Sequence, residues 1–184
     1  MEEKRICMAG SGGQGVLFIG KILATAGMLE EKEVTLIPSY GAEVRGGIVN
    51  CMVIISGEDI GSPIVQNPDI LVAMNGQALK KYESKIAQGG LLFSNSSLID
   101  DWKPAYDHFY TWYVPATEIA KTTFGNIRLA NMIMLGALLR KTGMISMDKI
   151  EQGIHLLTSD HQLASLNLKA FGEGADYLEK GNNR

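Results

Sequence analysis

The sequence predicts an α/β fold, a three-layer α/β/α domain with a helical C-terminal part. Three observations predict it. Strand-like and helix-like patterns alternate through the first half. A glycine-rich turn joins the first strand to the first helix. The second half carries helical spacing alone. In order, Arg5–Ala9 is a first strand, and Gly15–Glu30 is an amphipathic helix with Val16, Ile19, Leu23, Ala26 and Leu29 on one face. Val34–Ile37 is a short β-branched strand stopped by Pro38. Beyond a turn at Gly46-Gly47, Ile48–Ser56 is a long apolar strand. Ile70–Met74 and Leu91–Ser94 are buried strands flanking a helix at Gln77–Gln88, and Thr111–Val114 is a last strand before Pro115. Helices follow at Ile119–Lys121, Ile127–Lys141, Met147–Leu157 with Ser146 as N-cap, and Leu163–Leu178. In the last, Leu163, Leu166, Ala170, Phe171, Ala175 and Leu178 are expected on one face. The pattern implies one domain over 1–180 and a disordered tail at 181–184.

The helix at Ile127–Lys141 is apolar around nearly its whole circumference. Nine of the eleven positions from 129 to 139 are Ala, Ile, Leu or Met. Such a helix is buried on several sides, as a central core helix or against a partner subunit as well. The 9 methionines favour an interface, since Met packs adaptably at contact surfaces. Asn131, Met132 and Met134 are the interface candidates, and the isolated chain is expected to self-associate through an uncovered partner surface.

Composition excludes several classes. The 184 residues carry 17 Lys+Arg against 20 Asp+Glu, so no basic footprint points to nucleic acid. An iron–sulfur cluster normally takes four thiolates, and the chain has 2 cysteines, Cys7 and Cys51. No Cys-x-x-Cys pair exists, and His108, His155 and His161 are not spaced for a zinc site, so no metal site is expected. Both cysteines lie in apolar runs and read as small buried hydrophobes of a reducing compartment. The N-terminus has no signal-peptide pattern, and the longest apolar run falls short of a bilayer span. The expectation is a cytoplasmic protein without a membrane partner.

Gly10-Ser11-Gly12-Gly13-Gln14-Gly15 is a full G-x-G-x-x-G between strand and helix. It permits a tight turn, lets a ligand approach the backbone and aims helix N-terminal N–H groups at an anion. A dinucleotide site also expects an acid closing the second strand, but that strand ends Ile37-Pro38-Ser39-Tyr40. Glycines that merely allow close helix–strand packing are the other reading. A second constellation, Pro38 to Gly47, brings Ser39, Tyr40, Glu43 and Arg45 to a strand end, where open α/β sheets bind ligands. Glu43 and Arg45 can pair with each other, or Arg45 can meet an anion or a partner carboxylate. No catalytic triad can be assembled from the three histidines, and no catalytic residue is assigned.

These two segments, in this order, resemble the gamma subunit of the 2-oxoacid:ferredoxin oxidoreductases. The resemblance continues through Ser62-Pro63, Pro68 to Asn75, Gly89-Gly90, Asn95 to Ile99, Val114 to Ala120, Asn131 to Ala137 and Asn167 to Gly174, covering nearly the whole chain. It implies a subunit of an enzyme that decarboxylates a 2-oxoacid on thiamine diphosphate, forms an acyl-CoA and passes electrons through iron–sulfur clusters to ferredoxin. The resemblance places thiamine diphosphate with the alpha and beta subunits and the clusters in beta or a ferredoxin-like subunit. The gamma subunit completes the assembly. Ser39-Tyr40-Gly41-Ala42-Glu43 looks more like the 2-oxoglutarate branch than the pyruvate branch. The glycine loop then faces an anion, such as a phosphate of coenzyme A, or the partner subunit. An independent NAD(P)- or flavin-dependent oxidoreductase and a stand-alone anion-binding regulatory module are the alternatives.

Overall fold

A computed structural model describes residues 2–40, 47–99 and 102–179, with the backbone alone of Tyr40. Six strands form one sheet: β1 (Lys4–Ser11), β2 (Glu33–Tyr40), β3 (Ile48–Ser56), β4 (Ile70–Ala73), β5 (Gly90–Asn95) and β6 (Phe109–Val114). Their order is β2-β3-β1-β4-β5-β6. β1, β4, β5 and β6 run parallel, while β3 pairs antiparallel with both β1 and β2. Six helices accompany them: α1 (Val16–Leu29), α2 (Gly76–Tyr82), α3 (Ala116–Phe124), α4 (Ala130–Thr142), α5 (Met147–Leu157) and α6 (His161–Glu179).

The layers are unequal. Alternation along the strands turns Ile6, Met8, Val53, Ile55, Val72 and Phe93 to one face, where they form a single core with α1, α3, α4, α5 and α6. Cys7, Ala9, Leu71, Ala73 and Leu92 turn to the other face, which α2 covers with Ala78, Leu79 and Tyr82. The helical second half is therefore half of the sandwich rather than an appendage. Its centre is α4, whose residues Ala130 to Leu139 are all buried by the chain's own elements. α6 crosses it so closely that a Cβ on Gly136 would lie 1.9 Å from the Phe171 carbonyl oxygen, and one on Gly174 1.8 Å from that of Ile133.

Several elements differ from expectation for local reasons. β2 continues through Pro38 to Tyr40 because it is an edge strand, where a missing N–H costs no ladder bond. The helix expected to Gln88 stops at Tyr82 and tightens into a 3₁₀ turn at Glu83–Lys85. The expected helix at 127 begins as a 3₁₀ turn, Ile127–Leu129, before α4 proper. α3 is longer than expected because its first turn is capped from afar: Asn95 Oδ1 accepts from Thr117 N–H and Ser97 Oγ from Glu118 N–H. Ser146 holds the N-cap position of α5, but its side chain makes no cap bond; its N–H donates to Glu30 Oε1 at 2.6 Å. Of the expected face of α6, Ala170, Phe171 and Ala175 are buried, Leu166 and Leu178 half-buried and Leu163 exposed, and the buried stripe also takes in Ala164, Asn167 and Gly174. The tail at 181–184 lies outside the described residues.

Candidate functional site

The carboxyl ends of β1 and β4 meet where β1 has an antiparallel neighbour on one side and a parallel one on the other. The glycine loop leaves β1 here. Gln14 N–H donates to Ser11 O at 3.1 Å, closing a turn that Gly13 permits with a φ of +90°. Gln14 then folds back: its Oε1 accepts from Ser11 N–H at 2.7 Å and from Asn75 Nδ2 at 2.7 Å. Its Nε2 donates to Met74 O at 3.2 Å. Asn75 Nδ2 also reaches Ser11 Oγ at 2.8 Å, while Asn75 Oδ1 caps α2 through Ala78 N–H. Asn95, fully buried at the end of β5, donates to the same Met74 carbonyl and to Thr117 Oγ1. One polar chain thus ties the ends of β1, β4 and β5 to the first turn of α3.

The four loop glycines divide into two pairs. A Cβ on Gly10 would meet Gln14 Oε1 at 2.7 Å and Met74 Cβ at 2.9 Å. Gly15, left-handed at φ 71°, lies under Asn131, whose Nδ2 would be 2.2 Å from a Cβ and donates to Gly15 O at 3.3 Å. Internal packing accounts for both. Gly12 and Gly13 are exposed, with nothing within 4 Å of a would-be Cβ. They border a groove of about 520 Å³ that also takes in Leu17, Phe18, Lys21 and Val49. At the start of α1 the Phe18 and Ile19 N–H groups donate to Gly15 O, which leaves those of Val16 and Leu17 without an intrahelical acceptor. Lys21 supplies a cation, and apolar side chains supply much of the remaining wall.

The second constellation comes to the same edge. Gly10 pairs with Val49, and Val49 with Tyr40, so the end of β2 lies two strand spacings, roughly 10 Å, from the loop. Ser39 is exposed there. Glu43 and Arg45 lie outside the described residues, and of Tyr40 only the backbone is placed. Asn131, Met132 and Met134 are 6%, 0% and 0% exposed within the chain. Within the chain they pack among α4's own neighbours, and Leu17, Phe18 and Val49 are half-buried apolar residues lining the groove beside the loop. Asn75, Asn95 and Lys21 were not singled out by sequence reasoning; only Asn75, an Asn directly before a helix, carries a local signal, that of an N-cap.

The dinucleotide arrangement needs a second strand directly beside the first. Here antiparallel β3 occupies that place, and among the described residues no strand end beside β1 presents an acid to a ribose. Cys7 and Cys51 sit on opposite faces of the sheet, and burial pushes both thiols up to about 12, so neither is a thiolate near neutrality. Two such residues do not fit an iron–sulfur cluster. Among the described residues no group of three or more His, Cys, Asp or Glu is placed to hold a metal, and no helix is long and apolar enough to cross a membrane.

The fold and the loop define an α/β domain whose open side is the carboxyl end of β1. The chain belongs to the pyruvate ferredoxin/flavodoxin oxidoreductase family, whose model matches residues 5–177. It is 37% identical over 179 residues to the 2-oxoglutarate synthase subunit KorC of Methanocaldococcus jannaschii, covering 97% of this chain and 95% of that one. It is 38% identical over 181 residues to the ketoisovalerate oxidoreductase subunit VorA of Methanothermobacter marburgensis, where it spans 97% of this chain but 37% of the relative's length. The crystal structure of the keto/oxoacid ferredoxin oxidoreductase gamma subunit from Geobacter sulfurreducens superposes with a TM-score of 0.84 at 30% identity, covering 96% of this chain and 99% of that one. The fold class expected from the sequence is the one observed.

Proposed function

We propose that the chain, as a single gamma-type domain over 1–180, is the gamma subunit of a multi-subunit, thiamine-diphosphate-dependent 2-oxoacid:ferredoxin oxidoreductase with 2-oxoglutarate as substrate. The observation that carries the reading is near-full-length coverage of both chains at 37% identity to the 2-oxoglutarate synthase subunit, where the pyruvate/ketoisovalerate common gamma subunit of Thermococcus litoralis, 91% of which is covered, reaches 29%. Thiamine diphosphate and the iron–sulfur clusters belong to partner alpha and beta subunits and a ferredoxin-like subunit, with ferredoxin as acceptor in the cytoplasm. Two buried cysteines on opposite faces support that division of labour. No residue of this chain is assigned a catalytic step.

Within the complex, the edge formed by Gly10, Ser11, Gly12, Gly13, Gln14 and Gly15 together with Ser39, Tyr40, Glu43 and Arg45 faces coenzyme A or a partner chain. Two features support this: the open pair Gly12 and Gly13, and a groove that joins backbone N–H groups and Lys21 to an apolar wall. That mixture suits a phosphate-bearing ligand with an apolar arm, or an acidic and apolar segment of a partner. Arg45 is the further donor to a phosphate or carboxylate. The test is purification of the chain from native cells, then steady-state kinetics of the recovered complex. Co-purifying subunits with iron–sulfur absorbance and 2-oxoglutarate-dependent ferredoxin reduction are expected. A lone chain, or a complex turning over only another 2-oxoacid, would overturn the respective part.

A further inference from the structure

The sheet ends in two strands, and their outer edges are built differently. β2 carries Glu33 and Pro38, a charge and an imino acid that blunt an edge against further pairing. β6 has neither: Phe109-Tyr110-Thr111-Trp112-Tyr113-Val114 is uncharged, β-branched and aromatic. The ladder shows which groups face outward. Leu91 N–H donates to Asp69 O, toward β4, so the polar groups of Leu92 and Ser94 turn toward β6. There they meet those of Tyr110, Trp112 and Val114. The N–H and C=O groups of Phe109, Thr111 and Tyr113 therefore point away from the sheet. Among the described residues none of these groups has a hydrogen-bond partner. A groove of about 790 Å³ borders these three residues, with Tyr106 and Tyr110 beside it, and Tyr110 is 65% exposed.

The order of side chains along this edge says what fits it. Phe109 to Tyr113 reads aromatic, aromatic, threonine, aromatic, aromatic, the same in either direction. We infer that β6 pairs antiparallel with β6 of a second copy of this chain, about a twofold axis through Thr111, to give a dimer with one continuous sheet. In that register Phe109 faces Tyr113 and Thr111 faces itself at hydrogen-bonded positions, where the outward N–H and C=O groups find each other. Tyr110 faces Trp112 at the closer, non-hydrogen-bonded positions. From Phe109 to Tyr113 every cross-strand pair is then aromatic–aromatic or Thr–Thr, both favourable classes, and no like charges meet. The contact is isologous and closes on itself, as a twofold interface must. It lies three strands from β1, so it leaves the glycine loop free and is independent of what that loop binds.

The self-pairing of Thr111 supplies the test. Sedimentation velocity of the full chain over a concentration series should show a dimer. Thr111→Glu and Thr111→Lys each place like charges face to face at the axis, and each should lose the dimer. An equimolar mixture of the two should regain it, as a heterodimer in native mass spectrometry. In the unaltered chain, hydrogen exchange at the Phe109, Thr111 and Tyr113 amides should be slowed, and dilution should remove the slowing. A wild-type chain monomeric at every concentration, variants that stay dimeric, a mixture that stays monomeric, or amides indifferent to dilution would each overturn the inference. A different strand docked by a partner chain would give that last pattern, because dilution of the isolated chain would change nothing.

Discussion

Two groups of glycines, one in the helical layer and one in the loop after β1, lack a side chain for opposite reasons. At the α4–α6 crossing, Gly136 and Gly174 are glycine because another helix's backbone occupies the space a Cβ needs. In the loop, Gly12 and Gly13 have empty space where a Cβ would be. The first pair is explained within the fold. In the second, a left-handed φ of +90° already accounts for Gly13, and only Gly12 has no reason within the fold; its openness points outward, to something that approaches the backbone. A count of glycines cannot tell these apart; only the neighbours can. Substitutions should therefore divide sharply between the two regions.

The largest effect belongs to the crossing. Gly174→Ala sets a methyl against the Ile133 carbonyl, with no side-chain rotation to relieve it. Overpacking of this kind costs about 3 kcal/mol or more, so the urea midpoint should fall far enough to leave little folded protein at physiological temperature. Next comes Gly15→Ala, at about 2 kcal/mol, from a left-handed backbone and a collision with Asn131. Adding Asn131→Ala should recover the steric part, and a double-mutant cycle should show coupling between the two positions. Additive losses would place Gly15 with the open glycines instead.

A smaller effect sharpens the contrast by acting on the helical layer alone. Burial pushes the Glu30 carboxyl up, but hydrogen bonds from Lys32 and from Ser146 N–H outweigh it and hold the group below its ordinary 4.5. Its charged form ties the end of α1 to the start of α5, Lys32 Nζ lying 2.6 Å away. A depressed carboxyl contributes stability that is complete above the ordinary value and is lost as pH falls through the lower, folded value. Glu30→Gln should thus unfold more readily than wild type at neutral pH, and the gap in urea midpoint should close as pH is taken below 4.5. A gap unchanged by acid would remove Glu30 from the account.

How much of this was legible beforehand depended on range. β3 and α5 were bounded from sequence as they stand, because each is a local run of matching period between turn residues. The burial of α4 was legible too, since a helix apolar all round has no solvent side. What escaped depended on elements far apart in the chain. Pro38 could not be seen as harmless until β2 was known to lie at the edge. The insertion of β3 between β1 and β2 is a fact of strand order, and it removes the dinucleotide geometry that the glycine pattern suggests. Asn95 caps a helix that starts beyond the next strand, a contact that no local motif encodes. The glycine loop itself was found at once, but its division into two closed and two open glycines needed Asn131 and Met74 in place.

The smallest stability effect is the most informative about function. Gly12 lacks the positive φ of Gly13, and nothing stands within 4 Å of its would-be Cβ, so Gly12→Ala meets neither strain nor overlap. Stability should stay within about 0.5 kcal/mol of wild type. Gly13 is a poorer probe, because its φ of +90° would burden any side chain with strain unrelated to binding. If the open glycines admit a ligand or partner to the backbone, a larger replacement such as Gly12→Leu should leave the isolated chain folded. It should nonetheless raise the KM for coenzyme A or lower the yield of assembled complex. The two readouts separate the occupants: a changed KM with normal assembly assigns the groove to the coenzyme, and failed assembly assigns it to a partner chain. Unchanged KM and unchanged assembly together would mean that openness at Gly12 serves neither, and the contrast between the two glycine pairs would then be one of packing alone.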